Sequence, residues 1–155
     1  MSLKEKILED LKFSLKNKED LKVSVLRFLL SAIKNKEKEL KKETLEDGEV
    51  MEIIRKQVKQ REEAIELYKK GGRKELVEKE TREKEILLSY LPQQIQGKEL
   101  EELVEKIIKE MGVTSRKEMG KVMGRLMNEY RGRVDGKEAS QKVMEILTKM
   151  EGGEE

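Results

Sequence analysis

The chain has 155 residues, 44% of them charged, 35% hydrophobic and 3% aromatic, with a formal net charge of +2. It contains neither cysteine nor histidine, which excludes disulfides, thiolate nucleophiles, the commonest zinc ligands and an imidazole general base. Neither a Ser-His-Asp nor a Cys-His catalytic arrangement can be built from it. Acidic residues are abundant, but no cluster has defined ligand spacing, so no catalytic residue, metal or cofactor is expected. No apolar run approaches the roughly 20 residues of a membrane span, and the charged N-terminus is unlike a signal peptide. A cytoplasmic protein is expected.

Leu, Ile, Val and Met recur at helical spacing nearly throughout, and alternating runs with hairpin dipeptides are lacking. The fold class is therefore all-α: an N-terminal four-helix region followed by a small C-terminal three-helix bundle. The first helix is predicted over about Ser2 to Lys16, with Leu3, Ile7, Leu11 and Leu15 in one stripe and Leu8 beside it. Asn17 to Glu19 breaks the pattern, and Asp20 is the predicted N-cap of a long second helix. Its apolar face holds Val25, Leu26, Leu29, Leu30, Ile33 and, after a gap, Leu40. Nearly every residue from Lys34 to Glu43 is charged, which predicts a solvated helix end. Thr44 and Asp47 have the spacing of a capping box for the third helix. Its stripe is Val50, Ile54, Val58, Ile65 and Tyr68, interrupted by Arg61.

Gly71-Gly72 stops that helix, because glycine takes the left-handed conformation without steric cost. The fourth helix is predicted from about Arg73 to Leu91, with Leu76, Val77, Leu87, Leu88 and Leu91 inward. Pro92 ends it, since proline disfavours helical geometry in the preceding residue. This gives an N-terminal domain over 1–92, a linker over 93–96, and a C-terminal domain over 97–150. The three later helices are predicted at Glu99 to Met111 (closed by Gly112), Ser115 to Tyr130, and onward from Asp135. Ser115-x-x-Glu118 and Asp135-x-x-Glu138 have the form of capping boxes, and Glu151 to Glu155 reads as a frayed tail. The expected core is Leu26, Leu29, Ile54, Val58 and Leu87 in the first unit. In the second it is Leu103, Ile107, Val122, Leu126, Val143 and Leu147.

The most informative stretch is Ser115 to Lys137. It carries Arg116, Lys117, Lys121, Arg125, Arg131, Arg133 and Lys137 against only Glu118, Glu129 and Asp135. It also places Gly120 and Gly124 four residues apart inside a helical pattern, although helix-interior glycine costs about 1 kcal/mol against alanine. Projected at 3.6 residues per turn, Lys117, Lys121, Arg125 and Asn128 lie within about 80° of one another, with both glycines adjoining them. Met119, Val122, Met123, Leu126, Met127 and Tyr130 occupy the opposite arc. Bare backbone beside lysine and arginine suits a ligand whose phosphates those side chains reach.

Other readings stand beside that one. The basic residues could be an ordinary solvated face, and the glycines could admit a neighbouring helix of the same protein. The methionines read as core filling. Arg131-Gly132-Arg133 is a helix stop with flanking charge, or an outer phosphate contact. A second basic cluster, Tyr68 to Lys74, is explained by helix capping, since cations favour a helix C-terminus.

The segments SVLRFLLSAIKNKE (Ser24 to Glu37), KQREEAIELYKKGGRKELVEKE (Lys59 to Glu80), YLPQQI (Tyr90 to Ile95), KEMGKVMGRLM (Lys117 to Met127) and GRVDGKEAS (Gly132 to Ser140) resemble the YqeY-like proteins. That family is related to the tail domain of the GatB subunit of the glutamine-dependent aspartyl/glutamyl-tRNA amidotransferase. The resemblance covers nearly the whole chain in order and implies an all-α fold. In the amidotransferase the corresponding tail contacts tRNA. The implied function is a tRNA- or RNA-binding module associated with a carbon–nitrogen ligase that uses glutamine as amide donor. Implied partners are tRNA or another structured RNA and amidotransferase or tRNA-synthetase components, with no membrane. Lys117, Gly120, Lys121, Gly124, Arg125, Arg131 and Arg133 are the candidate contacts. Asn128-Glu129-Tyr130-Arg131 stands where the family pattern has a proline and lysines, which makes this exit less basic. The resemblance reaches only the GatB tail: no glycine-rich phosphate loop and no serine constellation is present, so catalysis by this chain alone is not expected. A helical protein-interaction module is the alternative.

The Lys- and Glu-rich composition, poor in Asn, Gln and Cys, is thermophile-like. Thermal melting is expected above roughly 90 °C, falling in high salt as surface ion pairs are screened. A midpoint of about 45–65 °C in a calorimetric scan would remove this reading.

Overall fold

The computed structural model describes residues 1–152. Its regular structure is entirely helical, with seven α-helices and one 3₁₀ turn among the described residues. The chain divides between Leu91 and Pro92 into two compact units.

In the first unit, α1 (Leu3–Lys16) is capped by Ser2, whose hydroxyl accepts from the Glu5 N–H at 3.1 Å. The Glu5 carboxylate accepts in return from the Ser2 N–H at 2.8 Å. Of the expected stripe only Ile7 is fully buried; Leu3 and Leu11 are half-buried, and Leu8 and Leu15 are exposed. Residues four apart advance by about 40° around a helix, so a strict i, i+4 stripe drifts off a straight partner. Ser14, seven residues from Ile7, faces inward instead. Lys18, at a left-handed φ of 55°, turns the chain into α2 (Asp20–Leu40). Glu19 occupies the N-cap position and Asp20 is the first helical residue, so the expected Asp20 cap is not made.

The charged end of α2 is not simply solvated. Glu37 is only 8% exposed. Its carboxylate accepts from Lys4 Nζ at 2.7 Å and from the Leu45 N–H at 3.1 Å, joining α1, α2 and the connection to α3 (Asp47–Lys70). Leu40 is exposed, and Leu45 in the connection is buried in its place. The Thr44–Asp47 box does not form. Glu46 is the N-cap of α3, with its N–H donating to Glu49 at 2.9 Å. Asp47 Oδ1 instead accepts from the Leu3 N–H at 2.9 Å, so it caps α1 rather than its own helix.

α3 ends at Gly71, and Gly72 takes the left-handed φ of 69°. α4 (Lys74–Leu88) stops three residues earlier than expected, and Leu88 is exposed rather than inward. Tyr90, beyond the helix, is buried, and its hydroxyl donates to Asp10 Oδ2 at 2.5 Å. Burial foremost, and then that bond, push the Tyr90 phenol well above its ordinary pKa, which keeps it a donor. The core of this unit includes the expected Leu26, Leu29, Ile54, Val58 and Leu87.

In the second unit, α5 (Gly97–Met111) is closed by Gly112 at a left-handed φ of 68°. A 3₁₀ turn (Arg116–Glu118) leads into α6 (Met119–Glu129), and α7 (Gly136–Glu151) follows. The expected core is buried except Leu103, which is half-buried. Three residues outside any helix, Ile95, Val113 and Val134, complete it. Gln93 to Gln96, expected as a linker, is held within this unit: the Ile95 N–H donates to the Arg133 carbonyl at 2.7 Å. Gln94 Nε2 donates to the Gly132 carbonyl at 2.7 Å. Asp135 caps α7 as expected, accepting from the Glu138 N–H at 3.1 Å. Glu151 belongs to α7 rather than to a frayed tail; the rest of that expected tail, 153–155, lies outside the described residues.

Glu37 provides a test of the first unit. Its bonds, with Lys4 foremost, hold its pKa below the ordinary 4.5. A carboxylate with a lowered folded pKa contributes fully above the unfolded value and loses that contribution as pH falls through the folded one. Glu37→Gln should therefore cost about 1–2 kcal/mol at neutral pH, and the difference should shrink in acid. Urea titrations at about pH 7 and about pH 3 measure both; an equal loss at the two would assign the effect to packing.

Candidate nucleic-acid interface

The basic-glycine face forms differently from the sequence projection at its start. Ser115 caps the 3₁₀ turn, with its hydroxyl accepting from the Lys117 N–H at 3.2 Å. Glu118 sits at the N-cap of α6 and makes no side-chain cap, so the Ser115–Glu118 box is not the start of one long helix. Lys117 therefore lies on the tighter turn, one element before Lys121 and Arg125. Within α6 the two faces separate as read: Val122 and Leu126 are fully buried, and Met119, Met123 and Met127 pack against the core. The methionines are core filling.

Gly120 and Gly124 are exposed, and a Cβ built on either meets no atom within 4 Å. Neither glycine admits a helix of this protein, which overturns that alternative. Both have ordinary helical backbone, so no left-handed φ requires glycine there. Lys117, Lys121 and Arg131 are exposed and make no ion pair among the described residues.

The arginines behave otherwise. Arg125 Nη2 donates to Glu110 Oε1 at 2.5 Å and Nε to Glu129 Oε2 at 3.0 Å. The hydrogen bond to Glu110, then that to Glu129, raise the guanidinium pKa further. Arg116 Nε donates to Glu151 Oε1 at 2.6 Å, and its backbone N–H to Oε2 at 2.8 Å. The latter bond is the first cause of a lowered Glu151 pKa. Arg133 Nε donates to the Gln93 carbonyl at 2.9 Å, with its guanidinium 5.9 Å from the Tyr130 ring centre. Arg133 thus fastens the 93–96 segment, while Arg131 projects from the same turn. Two carboxylates outside the basic stretch, Glu110 and Glu151, reach into it, so the face is less positive than its own sequence implies.

The first unit holds a feature that the periodicity did not point to. A groove of about 680 Å³ runs between α2 and α3, with Phe28, Ala32 and Lys36 on one side and Ile53, Lys56 and Gln57 on the other. Phe28 is 58% exposed and borders two further hollows. Buried Gln57 has no hydrogen-bond partner for Oε1. Nearby, Arg61 Nη1 lies 3.1 Å from Glu80 and 3.0 Å from Glu83. Burial raises the Glu83 pKa, opposed by Arg61 and reinforced by Glu80. The available signal was an aromatic off the apolar stripe, in a chain with two phenylalanines. Among the described residues no acidic cluster could hold a metal, and no helix is long and apolar enough to cross a membrane.

These features define an all-α protein whose C-terminal helical group displays a partly neutralised basic helix with open glycines. The chain belongs to the Yqey-like protein family, which it matches over residues 4–147. It is similar to proteins named "Altered inheritance of mitochondria protein 41, mitochondrial". The one from Pyrenophora tritici-repentis is 30% identical over 141 residues, 89% of this chain and 77% of that protein. The one from Lachancea thermotolerans is 39% identical over 85 residues, 55% of this chain and 46% of that protein. The Eremothecium gossypii protein is 37% identical over 83 residues, 54% and 45% of the two chains. The matches to these last two thus span about half of each relative.

Glycine without an internal reason has a measurable consequence. Gly120→Ala and Gly124→Ala should each stabilise the protein by about 0.5–1 kcal/mol, since Ala is the better helix former and space is open. Denaturant titration measures this; destabilisation by either would reveal a packing role for the glycine.

Proposed function

We propose that this protein is a module that binds structured RNA, tRNA foremost, and serves amidotransferase-type chemistry as a binding component rather than as a catalyst. The observation that supports this most is the pair of open glycines on α6 beside Lys117 and Lys121. They lower helix stability and no internal contact uses the space they leave, so the benefit lies in what approaches from outside. Ammonium groups at that edge suit phosphate contacts, which position a nucleic acid without reading its sequence. The family relation to the GatB tail points to tRNA and to amidotransferase or tRNA-synthetase components. A cytoplasmic setting belongs to this reading; the relatives' printed names describe mitochondrial proteins.

A second reading, a protein-interaction module, is favoured by the groove at Phe28, where an exposed aromatic and an unpartnered amide face open space. The two readings use different units of the chain, so mutations separate them.

Affinity for tRNA should fall steeply with salt, because phosphate contacts release counterions. Replacing Lys117, Lys121 and Arg125 together by alanine should flatten the slope of log K against log salt by about two to three, near one per lost contact. Gly124→Glu should weaken binding without lowering the melting temperature. Fluorescence titration across a salt series reads both outcomes. An unchanged slope in the triple variant, or binding abolished by Phe28→Ala instead, would move the function away from α6.

A further inference from the structure

The carboxylates that hold Arg125 are badly placed for a generic polyanion site. Glu110 comes from α5 and Glu129 from the last turn of α6, and both stand at the centre of the face that the lysines border. With Arg125 between them, this centre carries one excess negative charge. A phosphate arriving there meets two carboxylates and an arginine whose Nε and one Nη2 proton are already used. All three side chains are accessible, at 32% exposure for Arg125, 43% for Glu110 and 48% for Glu129. Each carboxylate gives one oxygen to Arg125, and Glu110 Oε2 and Glu129 Oε1 have no partner among the described residues. What this arrangement offers a ligand is a pair of fixed acceptors beside bare glycine backbone, with free ammonium groups further along the same face.

Resting on the RNA-binding reading above, we propose that this face takes the minor groove of an A-form RNA duplex and that Glu110 and Glu129 select RNA over DNA through ribose 2′-hydroxyls. The A-form minor groove is wide and shallow and displays those hydroxyls between two phosphate lines. A hydroxyl donates to a carboxylate with charge-assisted strength, whereas a deoxyribose has nothing to give and leaves only repulsion. Gly120 and Gly124 let the sugar edge approach α6. Lys117 and Lys121 reach the flanking phosphates. Arg125 acts as a positioning residue that holds both carboxylates in one orientation.

The test uses the full chain and RNA, DNA and 2′-O-methyl RNA duplexes of one sequence. The parent should bind the RNA duplex about tenfold more tightly than the other two, the worth of one or two hydroxyl–carboxylate bonds. The double variant Glu110→Gln, Glu129→Gln should bind the DNA duplex several-fold more tightly than the parent, with the RNA-to-DNA ratio falling toward one. Its salt slope on DNA should steepen by about one as Arg125 becomes free for phosphate. Melting curves confirm that the variant is folded, which these exposed positions allow. Equal parent affinity for RNA and DNA duplexes, still dependent on Lys117 and Lys121, overturns this inference and leaves the RNA-binding reading standing. No detectable binding to any duplex by parent or variant removes both.

Discussion

A chain with this few aromatics packs its helices through single layers of leucine, isoleucine and valine, and such layers resist separation better than they resist sliding. Register in the first unit therefore depends on polar anchors, and the Glu37 carboxylate is the central one. It is buried at the charged end of α2 and takes a proton donor from α1 and another from the connection to α3. A buried carboxylate is costly unless its lone pairs are used, so the geometry that satisfies Glu37 is strongly preferred over shifted alternatives. The same corner closes a second time through Asp47, which caps α1 from the first turn of α3. Two acidic side chains thus fix three helices at one end, and the Tyr90–Asp10 bond ties the chain beyond α4 to α1.

The second unit solves the same problem with backbone. The segment before α5 lies along the turn between α6 and α7, joined by Ile95 to Arg133, Gln94 to Gly132 and Arg133 to Gln93. This brings together the two family segments PQQI and GRVDG, far apart in sequence. It also holds the exit of α6, so that Arg131 leaves from a fixed turn. Because Val122, Leu126 and the methionines supply all of the burial on α6, its opposite face is released from packing duty. Only a face so released can carry two glycines without collapsing the core.

Helical periodicity made most of this legible. The seven helices, the Gly72 and Gly112 stops, the Asp135 cap and nearly all of the helical core follow from local rules that act within a few residues. What escaped is nonlocal or irregular. Val113, Val134 and Ile95 have no periodic neighbours to mark them, and Tyr90 meets Asp10 across 80 residues. Asp47 has the right spacing to cap its own helix, yet the Leu3 N–H offers it a different donor. On the candidate site, the positions of Lys121, Gly120, Gly124 and the core arc were readable because α6 is regular. The neutralisation of Arg125 and Arg116 was not, since Glu110 and Glu151 arrive from other helices.

That neutralisation changes what kind of binding the face supports. A bare stripe of lysine and arginine attracts any polyanion through counterion release, and affinity then comes without discrimination. Here two arginines are already committed to carboxylates, leaving Lys117, Lys121 and Arg131 as the available cations near α6. Exposed ion pairs add little stability, so Glu110 and Glu129 are not explained by what they contribute to the fold. The glycines are unexplained in the same way, since they weaken the helix that carries them. Both departures lower something that a purely structural helix would keep, one its stability and the other its general attraction for phosphate. They meet within two turns of α6, on the side away from the core. A surface that gives up stability and nonspecific affinity at the same place is organised around the shape and hydrogen-bonding groups of a ligand more than around its charge.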